Sequence, residues 1–280
     1  MNPEVSVIIQ FLNAGELLRD AIKSVLWQTS ANWELLLVDG GSSDISAILA
    51  AEYSSAYPEQ IRHIRSPEGV TLGIFEARLV GANEARGPIV AHLDSDDVWH
   101  PYFLERMVGL HREMFRSRPG LVYGPMFYWW PRVTEAGNGY LQPVPRPGLH
   151  APPTLLATFV SDSYSLTPGN SAVVASREII REAKSVAAVG SRARSTEDQY
   201  LWSFVAAHYP ICVTADPLVH YRQWGGSTCA RTSNDAAIAA RAAHLEWLLA
   251  YVESLHPTLG RHTVDALVEQ IRRAAGADAR

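Results

Sequence analysis

The feature that most constrains this chain is a repeated strand-then-helix alternation in which two of the strands end abruptly in acids. Val5 to Ile9 is a β-branched run suited to a strand buried on both faces. Leu17, Leu18, Ala21, Ile22, Val25 and Leu26 then recur at helical spacing, with Asn13 placed to cap them. Leu35 to Val38 is a second buried strand, ending in Asp39-Gly40-Gly41-Ser42-Ser43-Asp44. A helix follows with Ile45, Ile48, Leu49 and Tyr53 on one face. Ile61 to Ile64 is a weaker strand. Gly73 to Arg86 reads as a helix with a small packing face, Ala77, Gly81, Ala82 and Ala85. Ile89 to Leu93 is the next strand, ending in Asp94-Ser95-Asp96-Asp97. Such alternation predicts an α/β fold: a mixed, mainly parallel sheet flanked by helices. In such sheets ligands sit beyond the carboxyl ends of the strands, where both acidic loops fall.

The second half is less regular. A helix opens at Pro101, and Leu121 to Trp130 reads as one apolar, aromatic strand. The proline-rich segment from Pro131 to Pro153 reads as a long loop or flap. Ser171 to Ala175 reads as a strand and Thr196 to Ala207 as a helix. Val219 to Trp224 leads into a Gly225-Gly226-Ser227 turn. From Asp235 the chain turns alanine-rich, which predicts a helical C-terminal appendage. The expected division is a domain over 1–230 and a helical extension over 231–280.

Composition removes several function classes. The 280 residues are 47% hydrophobic, enough for one large α/β core. A formal net charge of -5 provides no basic field for a nucleic acid. No apolar stretch is long enough to span a bilayer. The N-terminus lacks the basic leader and cleavage site of a signal peptide, and reads as the first strand. Cys212 and Cys229 have no metal-type spacing and imply no disulfide framework. The expected setting is a reducing cytoplasm, with peripheral contact at the inner face of a membrane left open.

The acidic loops carry the chemistry. Three carboxylates within four residues at Asp94, Asp96 and Asp97 repel one another unless a proton or a cation joins them. Mg²⁺ or Mn²⁺, hard ions with oxygen ligands, suit such a group and keep positions open for phosphate oxygens. Alone, the same acids also suit a helix cap near Pro101. In the Asp39 loop the paired glycines permit a sharp turn and a close ligand approach, and an acid there can accept hydrogen bonds from a ribose or base. Ser43 or Asp44 as a plain helix cap is the alternative. The loop has neither dinucleotide-binding nor phosphate-loop glycine spacing, which argues against a dehydrogenase or a nucleotide triphosphatase.

Together these motifs support a resemblance. The order VSVIIQFLN, a helix with SVLWQT, ELLLVDGGSSD and ARGPIVAHLDSDDVWHP resembles the family 2 glycosyltransferases, Leloir-type enzymes with the GT-A fold, a Rossmann-like nucleotide-sugar-binding architecture. It is dense over the first hundred residues and sparse after them. The resemblance implies transfer of a sugar from a nucleotide-diphosphate sugar to a carbohydrate or glycolipid hydroxyl, with inversion and a divalent cation, in bacterial-type polysaccharide or glycoconjugate synthesis. It implies nucleoside contact at Asp39, ribose or metal contact at Asp94, and metal ligation at Asp96. It implies a nucleotide pocket lined by Gln10, Leu12 and Asn13, with Ser95 beside the donor. Arg78 matches an arginine-containing stretch of the family; it reads either as a donor contact or as a solvated helix arginine. Glu197-Asp198 resembles the family's acidic pair near the acceptor. Inverting transfer needs one carboxylate to take the acceptor proton, here Asp198 with Glu197 in support. Tyr221 and Arg222 match a terminal element in which Trp224 replaces the usual histidine, and Gln10 replaces a usual proline. These departures keep open a second reading, a degenerate nucleotide- or glycan-binding module. Tyr123, Phe127, Tyr128, Trp129 and Trp130 read as a buried strand with an aromatic lining more readily than as an acceptor platform.

Overall fold

The structure is a computed structural model that describes residues 2–131, 139–160, 165–184, 186 and 196–278. In chain order its elements are β1 (Val5–Phe11), α1 (Leu17–Leu26), β2 (Trp33–Asp39), α2 (Ile45–Ala56), β3 (Ile61–Arg65), α3 (Ile74–Glu84) and β4 (Ile89–His92). Then come β5 (Val98–Trp99), α4 (Phe103–Met114), β6 (Leu121–Tyr123), β7 (Met126–Trp129), β8 (Gly139–Leu141), β9 (Gly148–His150) and α5 (Leu156–Val160). The chain closes with β10 (Val173–Ser176), α6 (Arg177–Glu182), α7 (Glu197–His208), β11 (Ile211–Val213), β12 (Val219–Arg222), α8 (Asn234–Ser254) and α9 (Arg261–Asp278).

Eight strands form one sheet in the order β3-β2-β1-β4-β10-β6-β11-β9. β3, β2, β1 and β4 run parallel, and β10 is antiparallel to both β4 and β6. The sheet is therefore mixed, as the alternation predicts. Chain order reverses direction at β1, whose neighbours are β2 on one side and β4 on the other. The carboxyl ends of β1 and β4 thus flank a switch point, the usual crevice for ligands in such sheets. A smaller sheet, β5-β12-β7-β8, stands beside it.

Alternation along the strands divides the core. Val5, Val7, Ile9 and Phe11 of β1 face the layer that holds α1 and α4, while Ile8 faces the other. In β2, Leu35 and Leu37 face the first layer, and Leu36 and Val38 the second. A strand buried on both faces must be apolar throughout, which explains the uninterrupted runs read from the sequence. The C-terminal helices enter the same second layer. Leu245, Leu248 and Val252 of α8 and Val264 and Ile271 of α9 join Phe159 and Trp202 there. Among the described residues no helix is long and apolar enough to cross a membrane.

Local expectations fail where tertiary contacts override the pattern. Leu121 to Trp130 is not one strand. It breaks at Gly124, where an added Cβ would lie 2.9 Å from Thr214 Cγ2 and 3.0 Å from the Asp216 carbonyl. The chain crosses there from the large sheet into the small one. The proline-rich stretch is not wholly loop: β8 pairs with β7 and β9 with β11, while residues 132–138 lie outside the described residues. Asn13 does not cap α1. It adopts a left-handed backbone (φ 53°), and its side-chain oxygen accepts from Ser43 N at 2.9 Å instead. In α2, Ile45 and Ile48 are exposed, whereas Ser46, Leu49 and Ala50 are buried. Ser46 Oγ accepts from Gly15 N at 2.8 Å, which fixes the helix's phase about its axis.

The small face of α3 has a definite purpose in packing. A Cβ added at Gly81 would lie 2.6 Å from Ile8 Cγ2, so the helix rests directly on β1. Helix propensity alone predicts that Gly81→Ala stabilises by about 1 kcal/mol. The contact predicts the reverse, a loss of roughly 1–3 kcal/mol through overpacking. Urea unfolding of the variant against the parent protein decides between the two signs.

Candidate functional site

The two acidic loops and the start of α7 converge at the carboxyl ends of β1, β2 and β4. Asp94 lies two residues past the end of β4. Its Oδ1 accepts from Gln10 Nε2, at the end of β1, and from Arg78 Nη2 at 3.0 Å. Gln10 therefore bridges the switch point itself. Arg78 projects from α3 and is 2% exposed, so it is not a solvated helix arginine. Its Nη1 donates to Asp198 Oδ1 in the first turn of α7. Burial penalises this guanidinium, yet the charges of Asp198 and Asp94 outweigh that and raise its pKa. Burial raises the Asp94 pKa, and Arg78 opposes the rise. Glu197 opens the same helical turn as Asp198.

A short turn entering β10 ties these groups together. Asn170 Nδ2 donates to Asp198 Oδ2, so both oxygens of that carboxylate are held. Ser171 Oγ accepts from Asp94 N at 3.0 Å and donates to Asp97 Oδ2, and the Ser171 carbonyl accepts from Trp99 Nε1 at 2.6 Å. Asp97 is fully buried, and its other oxygen accepts from Arg222 N at 2.9 Å. Burial pushes its pKa well up. Of the three acids after β4, Asp97 thus serves as an internal brace, while Asp94 and Asp96 face the crevice. Ser95 lies in the turn between, closed by Asp97 N on the Asp94 carbonyl at 3.1 Å.

The terminal element reaches the same place. Trp224 Nε1 donates to Asp96 Oδ2 at 2.8 Å, and Arg222 Nε donates to the Asp96 carbonyl at 2.7 Å. Arg222 also pairs with Asp20 of α1 at 2.9 Å and lies 4.9 Å above the Trp129 ring. Asp39, the last residue of β2, is wholly buried. Its Oδ1 accepts from Gly41 N and Ser42 N at 3.0 and 2.7 Å. The glycines there leave room for the chain's own backbone: a Cβ on Gly40 would lie 3.3 Å from the Leu72 carbonyl, and one on Gly41 (φ 107°) 3.0 Å from that of Val70. Leu12, just past β1, is 45% exposed.

Residues 6–133 match the family model described as Glycosyl transferase family 2. Over that segment, a little under half of its length, the chain is similar to the family 2 glycosyltransferases. An uncharacterised glycosyltransferase of Nostoc sp., alr2836, is 39% identical over 105 residues, covering 38% of this chain and 32% of that protein. The Escherichia coli protein WfgD, named as a UDP-Glc:alpha-D-GlcNAc-diphosphoundecaprenol beta-1,3-glucosyltransferase, is 33% identical over 120 residues, covering 43% of this chain and 44% of its own. The chain thus aligns with less than half the length of either relative. In fold it is similar to S. aureus TarS 1-349, solved in complex with UDP-GlcNAc. The TM-score is 0.68 at 15% identity, covering 98% of this chain and 73% of that one. The GT-A architecture expected from the motifs is the one the chain adopts.

The family 2 segment ends before Asn170, Ser171 and Asp198, which the fold nevertheless brings to its acids. Asn170 and Ser171 carry no sequence signal of their own. Asp97 was legible only as one of three acids, and its inward turn depends on Ser171 and Arg222.

One further group borders Arg78. His92, on β4, is 1% exposed, and neither ring nitrogen has a protein hydrogen-bond partner among the described residues. Burial, aided by Arg78, lowers its pKa to about 3. Above pH 6.5 the ring is neutral folded or unfolded; as pH falls below that, the unfolded chain takes a proton that the folded chain refuses. Stability is therefore lost between pH 6.5 and about 3, on the order of 2 kcal/mol by pH 5 from this ring. Replacing His92→Leu removes that component. Urea unfolding at pH 7.5 and pH 5 is expected to show a smaller acid loss in the variant than in the parent protein.

Proposed function

We propose that this chain is a glycosyltransferase that moves a sugar, with inversion, from a nucleotide-diphosphate sugar to an acceptor hydroxyl. The observation that supports the reading is that Arg78 joins Asp94, in the same loop as Asp96, to Asp198, beside a segment that matches the family 2 model and carries Asp39 at the end of β2. Asp39 faces the nucleoside, with Gln10, Leu12 and Asn13 around the nucleotide and Ser95 and Trp224 beside the diphosphate. Asp198 is the general base. The acceptor oxygen attacks the anomeric carbon, the bond from that carbon to the phosphate oxygen breaks, and the acceptor proton passes to Asp198. Arg78 and Asn170 hold one oxygen each, and each oxygen keeps a lone pair for the incoming proton. Glu197 supports the same helical turn.

The donor set after β4 fits a hard divalent ion shared with the substrate. Among the described residues no group of three or more His, Cys, Asp or Glu side chains could hold a metal. Asp94 and Asp96 still offer two carboxylates. Oδ1 of Asp94 carries the Gln10 and Arg78 bonds and Oδ2 of Asp96 the indole, so the second oxygen of each takes part in none of these. Mg²⁺ or Mn²⁺ commonly sits on one or two carboxylates with phosphate and water completing the shell. Asp94 and Asp96 would hold such an ion, which would supply charge neutralisation for the departing diphosphate.

We take residues 1–230 as the catalytic unit and 231–280 as its helical extension. The acceptor is a carbohydrate or a glycolipid, and the setting is bacterial-type polysaccharide or glycoconjugate synthesis in the cytoplasm, at the inner membrane face for a glycolipid. The name of the relative WfgD supports this class of acceptor.

Nucleotide release from a panel of nucleotide sugars with Mn²⁺, with and without sugar acceptors, tests the reading. Asp198→Asn is expected to lower transfer by ~10²–10⁴ while nucleotide affinity stays level. Near-parental transfer by that variant removes Asp198 as the base. Binding of nucleotide without turnover across the panel favours the binding-module reading instead. A separate measurement addresses Trp224. An indole donates but cannot ligate, whereas Trp224→His sets a ligand nitrogen beside Asp96. That variant is expected to bind Mn²⁺ more tightly without nucleotide, by calorimetry; unchanged affinity in a folded variant places position 224 away from the ion.

A further inference from the structure

The end of the sheet opposite the crevice carries a second charged feature. A groove of about 700 Å³, a size that suits a small ligand, opens there between α4, the turn into β6 and α6. Arg112, Arg116, Arg118, Arg177 and Arg181 line it, and Glu4 and Glu178 are the acids among its lining residues. Five cations against two anions leave a surplus of three positive charges, on a chain whose formal net charge is -5. Phe115, Pro88 and Ile89 add apolar lining. Ile89 opens β4 and Asp94 lies five residues on, roughly 16 Å along an extended chain. Nothing bound in this groove reaches the acids of the crevice.

The fold fixes the shape of the groove. The Arg116-Ser117-Arg118-Pro119 turn leaves α4 and is pinned where it enters β6. Gly120 N donates to Ser176 Oγ at 3.2 Å, the Gly120 carbonyl accepts from Ser176 N at 3.0 Å, and His111 Nε2 lies 3.0 Å from the same hydroxyl. A Cβ on Gly120 would run into the Phe115 ring, so the turn closes tightly over it. Three of the arginines are aimed by neighbours. Arg112 pairs with Glu4 at 2.7 Å, Arg177 Nη1 donates to the Ala85 carbonyl, and Arg181 Nη2 donates to the Asn83 carbonyl at 3.2 Å. The guanidinium groups of Arg116 and Arg118 take part in no hydrogen bond or ion pair among the described residues. Like charges gathered in one groove repel one another, and a bound anion relieves that repulsion.

We infer that this groove is a second binding site, separate from the crevice, for an anion that presents two phosphoryl groups. Guanidinium groups pair with phosphate oxygens two at a time. One phosphate group carries about −1.5 to −2 charge at pH 7, so two groups match a surplus of three better than one does. Arg116 and Arg118 supply the free donors, and Arg177 and Arg181 face them across the groove from α6. Two sources offer this chemistry: a soluble diphosphate, or neighbouring headgroups of an anionic lipid surface whose apolar part meets Phe115. The inference stands apart from the proposed transfer reaction and uses none of its residues.

Calorimetric titration of the full chain with pyrophosphate and with inorganic phosphate reads the soluble source, with EDTA present to keep divalent ions from the crevice. Sedimentation with vesicles of phosphatidylcholine, alone or mixed with phosphatidylglycerol, reads the lipid source. The variant Arg116→Ala/Arg118→Ala removes two guanidinium groups that hold nothing in the fold. It is expected to weaken the binding roughly tenfold or more, the worth of a lost charge-assisted hydrogen bond. Arg261→Ala/Arg273→Ala removes the same charge from α9 and should leave the binding level. Pyrophosphate bound tighter than phosphate, and weakened by the groove pair alone, assigns a soluble diphosphate. Retention on the mixed vesicles only, lost in the groove pair alone, assigns a lipid headgroup. Thermal unfolding checks each variant, and Arg118→Glu carries the test if the groove pair is not folded. Pyrophosphate bound no tighter than phosphate overturns the two-phosphoryl assignment. Equal loss in the α9 pair, no loss in the groove pair, or no binding of pyrophosphate or mixed vesicles overturns the site.

Discussion

The buried guanidinium of Arg78 is the interaction on which the site depends. It emerges from a helix seated on β1 by way of Gly81, and it joins an acid at the end of β4 to an acid at the start of α7. Those two carboxylates come from positions 104 residues apart, and without a cation between them they would repel. Breaking such a pair by removing one member leaves an uncompensated charge in a partly dry place, which costs far more than an exposed ion pair is worth. Because Asp94 also takes the Gln10 amide, the same cation indirectly fixes the geometry of the switch point between β1 and β4.

Around that cation the protein sorts chemically identical side chains by environment. Asp97 is buried between Ser171 and Arg222 and braces the loop. Asp96 leans outward under the Trp224 indole. Asp94 and Asp198 share Arg78. Asp39 closes a turn with one oxygen and sets the other 3.5 Å from His63 Nε2. Five aspartates thus occupy five different situations, set by which neighbours donate to them and how much water remains.

Much of this was legible in the sequence wherever a pattern is local. The apolar runs of β1 and β2 declare strands covered on both faces, and acids at their ends fall where ligands bind in an α/β sheet. The small residues of α3 declare close packing. Legibility stops where the outcome depends on a distant partner. Nothing in Leu121 to Trp130 announces that Gly124 must pass beneath Thr214 and Asp216, so one apolar run becomes strands in two sheets. Ile45 and Ile48 suit a core face, but Ser46, tied to Gly15, decides the helix's rotation. Arg78 on a helix is ambiguous until two acids from elsewhere surround it. Asn170 is one asparagine among loop residues, and only the fold sets it against Asp198.

The reversal of β10 has a consequence of its own. Parallel strands deliver residues to the crevice as they leave the sheet; β10, running the other way, delivers Asn170 and Ser171 as it arrives. Those two residues are therefore indexed to the sheet by the pairing of Val174 with Ala91 and Val122. Strand side chains alternate faces with a period of two, so a one-residue slip of β10 would exchange inward and outward positions all along it. The turn would then present the wrong neighbour to Asp198 and Asp97 while the sheet stayed intact. Insertions and deletions near this strand are in that sense a matter of chemistry as well as of architecture, and the segment tolerates substitution more readily than any change in its length.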